Sequence, residues 1–125
     1  MRRDLIELTI KYLESIPDRV AESHFDMTDW LRGNLTGKPW ECGTRGCAGG
    51  WMTFMPELQA AGLTRSNIGT PFFHGEYGAA ALATLLGIEW EDAEEIFYDF
   101  KIETGPKAIK EVCQKLRTLL RRKEA

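Results

Sequence analysis

The sequence predicts an all-α protein, one helical domain over residues 1–125 with about five helices and one long ordered loop. Three observations predict it. Apolar residues recur at three- and four-residue spacing in several stretches. Strand evidence is thin, with two valines and no run of alternating residues flanked by turns. The chain is 43% hydrophobic and holds four Trp and six Phe, enough to build a core at a length that suits one domain and not two.

The elements follow in order. Arg3 to Ile16 places Leu5, Ile6, Leu8, Tyr12, Leu13 and Ile16 near helical spacing, and Pro17-Asp18 ends it. Arg19 to His24 reads as one more helical turn. Phe25 to Cys42 is broken by Gly33, Asn34, Gly37 and Pro39 and reads as mostly loop, pinned to the core by Met27, Trp30 and Trp40. Thr44 is the expected N-cap of a helix through Arg45 to Phe54. Three glycines inside that helix would each cost about 1 kcal/mol relative to alanine. Because Gly46, Gly49, Gly50 and Thr53 share a face, a second backbone is expected to pack closely there. The slim helix Glu76 to Leu86, with Ala79, Ala80, Ala81 and Ala83, is the expected partner, and Gly87 its stop. Glu89 to Asp99 forms a short acidic helix with Trp90, Ala93, Ile96 and Phe97 facing inward. Thr104 caps the last helix, with Pro106 in its first turn and a stripe of Ile109, Val112, Cys113, Leu116, Leu119 and Leu120.

Composition excludes some function classes. No apolar run approaches the roughly 20 residues of a membrane span, and nothing after Met1-Arg2-Arg3 leads into a signal-peptide core. Three cysteines without an export signal point to a reducing cytoplasm. The net charge of −3 hides a sharp asymmetry. Residues 85–104 hold seven acidic and one basic side chain, whereas residues 105–125 hold seven basic and two acidic. Neighbouring helices of opposite sign account for this, with late cations favoured by the helix dipole. Nucleic-acid contact through Lys107 to Lys123 is the alternative, although no aromatics interleave with those cations.

One stretch carries a resemblance. Phe25-Asp26-Met27-x-x-Trp30 is followed by Cys42-Gly43-Thr44-x-x-Cys47-x-x-Gly50-Trp51, then by the alanine-rich Ala79 to Ile88 and an acidic helix ending Ile96-Phe97. Residues 25–98 thereby resemble a family of small uncharacterised phage and bacterial proteins marked by FDMxxW, CGTxxCxAGW and a helix ending LLGL. Gly49 departs from it, since the family has alanine there. The resemblance implies a phage or mobile-element origin and brings no mechanism.

Four constellations could carry chemistry. Cys47 in the first turn of a helix would feel its dipole, and with His74 as base and Asp92 as orienter it would form a cysteine hydrolase or transferase. A small core cysteine beside Trp51 is the competing reading. Cys42 and Cys47, with His24 and His74, make a Cys2His2 set for zinc; a Cys42–Cys47 disulfide competes for the same thiols. Asp26, Asp29 and Glu41 lie near tryptophans, but an Asp before a helical turn is more often a cap, and Asp26 is read as structural. The fourth is a binding surface built on the loop aromatics Trp40, Phe72, Phe73 and Tyr77, with the acidic block Glu89 to Glu103 as a second contact face. The favoured expectation is a cytoplasmic module that binds a host or phage protein, such as an inhibitor of a defence system or a modulator of host machinery. It has no cofactor and no enzymatic activity of its own. A homodimer through the end of the last helix, Leu119-Leu120-Arg121-Arg122-Lys123, is a further expectation.

Overall fold

Regular helical periodicity near both chain ends builds the two longest helices, and the computed structural model describes residues 1–27, 30–33, 44–98 and 104–124. In chain order these form α1 (Arg3–Glu14), α2 (Asp18–His24), β1 (Leu31–Gly33), β2 (Thr44–Gly46), α3 (Ala48–Met52) and α4 (Pro56–Ala60). There follow β3 (Thr64–Arg65), β4 (Pro71–Phe73), β5 (Glu76–Tyr77), α5 (Gly78–Leu86), α6 (Trp90–Phe97) and α7 (Gly105–Glu124). The fold is mixed α/β, which corrects the all-α expectation. Besides seven helices, the described residues form an antiparallel β1–β2 ladder and an antiparallel sheet of order β3–β4–β5. Each strand is two or three residues long, too short for alternation to register in the sequence.

α1 closes with Ser15 Oγ donating to the Tyr12 carbonyl at 2.6 Å, and Pro17, which has no N–H to continue the ladder, introduces α2. The stripe of α7 is buried from Ile109 to Leu120 and packs on α1 and α2. Leu119 and Leu120 therefore face the protein's own core. Phe25, Phe97, Leu13, Met52, Leu82 and Leu116 are among its fully buried side chains, each worth about 1.5–3 kcal/mol relative to exposure. α5 sits at the centre, against α6 and β4, and ends at Gly87 in the left-handed conformation as expected. α6 buries Ala93, Ile96 and Phe97, but Trp90 is 49% exposed, contrary to expectation. As the first residue of the helix, Trp90 lies three positions from Ala93 but turns to the solvent side.

Around residue 45 the chain departs most from its expected course. Thr44 does not cap a helix; Thr44–Gly46 is a strand, and Cys47 becomes the N-cap of a five-residue helix. β2 pairs antiparallel with β1, Leu31 opposite Gly46, and makes a parallel bridge to Phe25 on its other side. Asp26 then bridges to Thr104, and the Gly105 amide donates to the Phe25 carbonyl at 3.1 Å, which docks the start of α7. The buried Asp26 carboxylate lies 3.5 Å from Arg45.

The glycine face does receive a second backbone, but it belongs to Trp30 and not to the alanine-rich helix. A Cβ built on Gly50 would stand 1.6 Å from the Trp30 carbonyl oxygen, and one on Gly46 would stand 2.7 Å from it. Above Gly49 the space is taken by the Trp30 ring, at 2.3 Å, with Leu82 of α5 behind it at 3.1 Å. The alanine that the resembled family carries at this position would not fit under that ring.

Gly50→Ala is expected to cost about 3 kcal/mol or more in urea unfolding, because the obstructing atom is backbone and cannot rotate away. Gly75→Ala is the comparison: its φ of +79° carries strain, but nothing lies within 4 Å of the added Cβ. A loss of about 1 kcal/mol is expected there.

Candidate binding surface

The β4–β5 hairpin is closed by His74-Gly75, with φ of +48° and +79°, between the paired residues Phe73 and Glu76. Two successive residues at positive φ make the tight turn whose twist suits a hairpin. Asn-Gly or Asp-Gly would announce such a turn in sequence; histidine in the first position hides it. Alternation across the sheet then sorts the side chains. Thr64, Phe72 and Tyr77 form one cross-strand row. The opposite face of β4 carries Pro71, paired with Arg65, and Phe73, paired with Glu76, and both are buried. The outer row is aromatic: the rings of Phe72 and Tyr77 meet at 4.8 Å, and Tyr77 is 58% exposed.

Gly78 follows Tyr77 and joins this row to a second aromatic pair. A Cβ on Gly78 would meet the Tyr98 hydroxyl at 2.9 Å and the Trp30 indole at 3.3 Å. Trp30 and Tyr98 themselves pack edge to face at 5.3 Å, and Tyr98 is 47% exposed. The result is a ledge of four aromatic rings on either side of Gly78, with one pair on the hairpin and the other between Trp30 and the end of α6. Trp30 and Tyr98 were not among the expected contact residues. Phe72 and Tyr77 were among them as loop aromatics beside glycines, but no local pattern ties Trp30 to Tyr98.

The remaining candidates are scattered. Phe73 is buried and stacks on the His74 ring at 4.0 Å. Trp40 and Cys42, with Asp29 and Glu41, lie outside the described residues. Cys47 is 2% exposed, and its sulfhydryl points at the Trp30 carbonyl 3.9 Å away. The exposed His74 makes no hydrogen bond to Cys47 or to Asp92. Asp92 instead accepts from Arg122 of α7. His24 Nδ1 lies 2.7 Å from the Thr44 carbonyl and so acts as donor there. Among the described residues no group of three or more His, Cys, Asp and Glu side chains is placed to hold a metal ion.

The opposed charge blocks meet as expected, since α6 packs on α7. Arg122 pairs with Asp92, Lys115 donates to the Glu95 carbonyl at 2.9 Å, and Arg117 makes a two-pronged bond to Glu14 of α1 at 2.6 Å. Arg117 also holds the Glu14 carboxyl below the usual carboxylate range through that bond. Three of the cations on α7 thus serve contacts within the chain. Among the described residues no helix is long and apolar enough to cross a membrane. No family model, no curated protein and no solved structure matches the chain.

Two groups of the surrounding core, the buried Cys113 and the half-buried Tyr12, respond to alkali. Burial pushes the Cys113 thiol from 9.0 up to about 12, aided by the nearby Glu14. Burial also raises Tyr12 to about 12, with a further push from Glu57. The folded state then keeps protons that the unfolded state loses, so stability is complete below the unfolded pKa values and falls as pH rises above them. Denaturation curves should hold level to about pH 8.5 and then lose about 1.4 kcal/mol per pH unit for each such group, first from Cys113. Cys113→Ala should be less stable at pH 7 yet flatter between pH 9 and 10. Equal slopes in the two proteins would count against the burial of that thiol.

Proposed function

We propose that the protein acts by binding another protein, with the aromatic ledge of Phe72, Tyr77, Tyr98 and Trp30 as its contact surface. The observation that carries this reading is the exposure of Tyr77 and Tyr98 on rings whose other edges are fixed by Phe72 and Trp30. Rigid, half-exposed aromatics bury large area on contact and lose little side-chain entropy, which is why they dominate interface energetics. Ile68, 67% exposed in the loop between β3 and β4, adds an apolar group on the same small sheet.

The resemblance of residues 25–98 to small phage and bacterial proteins favours a host or phage protein as the partner. Inhibition of a defence system or modulation of host machinery is the corresponding role, in the cytoplasm and without a cofactor. The engagement of Arg117, Arg122 and Lys115 within the fold weighs against the basic helix as a nucleic-acid face. The burial of Cys47 weighs against thiol catalysis.

A photo-crosslinking residue placed at Tyr77, in the cell that expresses the protein, should give one discrete protein adduct. The same residue at the exposed Lys110 on α7 should give none. Phe72→Ser should abolish the adduct while leaving the circular dichroism unchanged. Adducts of equal yield at both positions, or none at Tyr77, would refute the assignment of this surface.

A further inference from the structure

The other side of the same sheet holds a cation with no acid beside it. Arg65 of β3 lies with its guanidinium 3.9 Å over the Phe54 ring, and Nη1 donates to Thr53 Oγ1 at 3.3 Å. Among the described residues no carboxylate forms an ion pair with it. Partial burial lowers its pKa. A guanidinium has five N–H donors, so most of the fork is left over.

Those donors border a surface cavity of about 600 Å³ whose wall includes Thr53, Gln59, Thr64, Ser66 and Asn67 together with Arg65. Among the described residues that line it, Arg65 is the charged one, in a chain with 19 acidic and 16 basic side chains. Two of the neutral groups are already committed, since Thr53 Oγ1 donates to the Gly50 carbonyl at 2.6 Å and Thr64 Oγ1 to the Phe72 carbonyl at 3.2 Å. Gln59 Nε2 is fixed by a bond to the Thr53 carbonyl at 3.0 Å. Ser66 Oγ accepts from the amides of Ile68 at 3.3 Å and Thr70 at 3.1 Å, so its own proton is left for another acceptor. Asn67 is exposed, and its side-chain amide makes no hydrogen bond among the described residues.

We infer that this cavity binds a phosphate group, with Arg65 as the charged anchor and Ser66 and Asn67 as neutral donors. A planar carboxylate could be met by the arginine fork alone. Donors rising from the loop after β3 as well as from the strand suit a tetrahedral anion with oxygens on several sides. The cavity far exceeds a phosphate ion, so the group would be the charged end of a larger ligand such as a phosphorylated metabolite. This site does not rest on the protein-binding reading: it is anchored by Arg65 and shares only Thr64 with the row of Phe72 and Tyr77.

The test is a titration of the full chain with inorganic phosphate at constant ionic strength, followed by amide and Arg65 Nε NMR shifts. Saturable shifts at Arg65, Ser66 and Asn67 are expected, with acetate at least tenfold weaker. Arg65→Gln should abolish them. Because that change also removes the Phe54 stack, Asn67→Asp provides the second arm: it puts a negative charge in the cavity at a side chain the fold does not use. It should weaken phosphate at least tenfold while leaving Tm unchanged. Shifts that rise linearly without saturation, persist in Asn67→Asp, or appear equally with acetate would overturn the site.

Discussion

Trp30 rests on a floor of glycines, and the order of the small elements depends on that contact. Its carbonyl occupies the space where side chains of Gly46 and Gly50 would be, and its ring covers Gly49 and reaches Gly78. One residue thereby fixes a strand end, a helix and the start of α5 relative to one another. β1 leaves Trp30 already aligned to pair with β2, and β2 in turn presents Gly46 to Phe25. Phe25 and Asp26 then receive Thr104 and Gly105, from which the longest helix departs. Helix packing supplies most of the buried area, but the glycine contact sets where the irregular part of the chain sits on it.

The same contact reaches the surface. Tyr98 is held against the edge of the Trp30 ring, and the glycine at position 78 lets both approach the end of β5. An aromatic surface that must stay ordered while half exposed needs support from below, and here that support is the packed face of Trp30. Cys47 is drawn into the same arrangement, with its sulfur turned to the Trp30 carbonyl and away from solvent. The residue that most resembles a nucleophile in sequence is thus part of the supporting structure.

Much of the helical part was legible in the sequence, and for physical reasons. A long amphipathic stripe such as Ile109 to Leu120 repeats often enough to stand above chance, and Gly87 ends its helix by a local conformational rule. The cluster of glycines also signalled a close backbone, although Gly46 lies in β2 and two of them, Gly49 and Gly50, in the helix. What could not be read was which backbone, because Trp30 lies in a segment without periodicity and its approach is a tertiary event. The hairpin was missed because two-residue strands have no period and His74 stands where asparagine would have marked the turn. Cys47 was singled out by its place at a helix start, and His74 and Asp92 were joined to it by residue type. The fold gives them separate tasks: a core contact, a turn and an ion pair.

The most direct test separates the two parts of the Trp30 contact. At Gly49 the obstacle is the indole ring, and at Gly50 it is the main-chain carbonyl. Urea unfolding of Gly49→Ala and Gly50→Ala, each alone and combined with Trp30→Ala, measures both couplings. If the account is right, removing the ring rescues most of the loss caused by Gly49→Ala and leaves the loss from Gly50→Ala in place. Additive losses at Gly49, or equal rescue at both glycines, would contradict the placement of Trp30 on this floor.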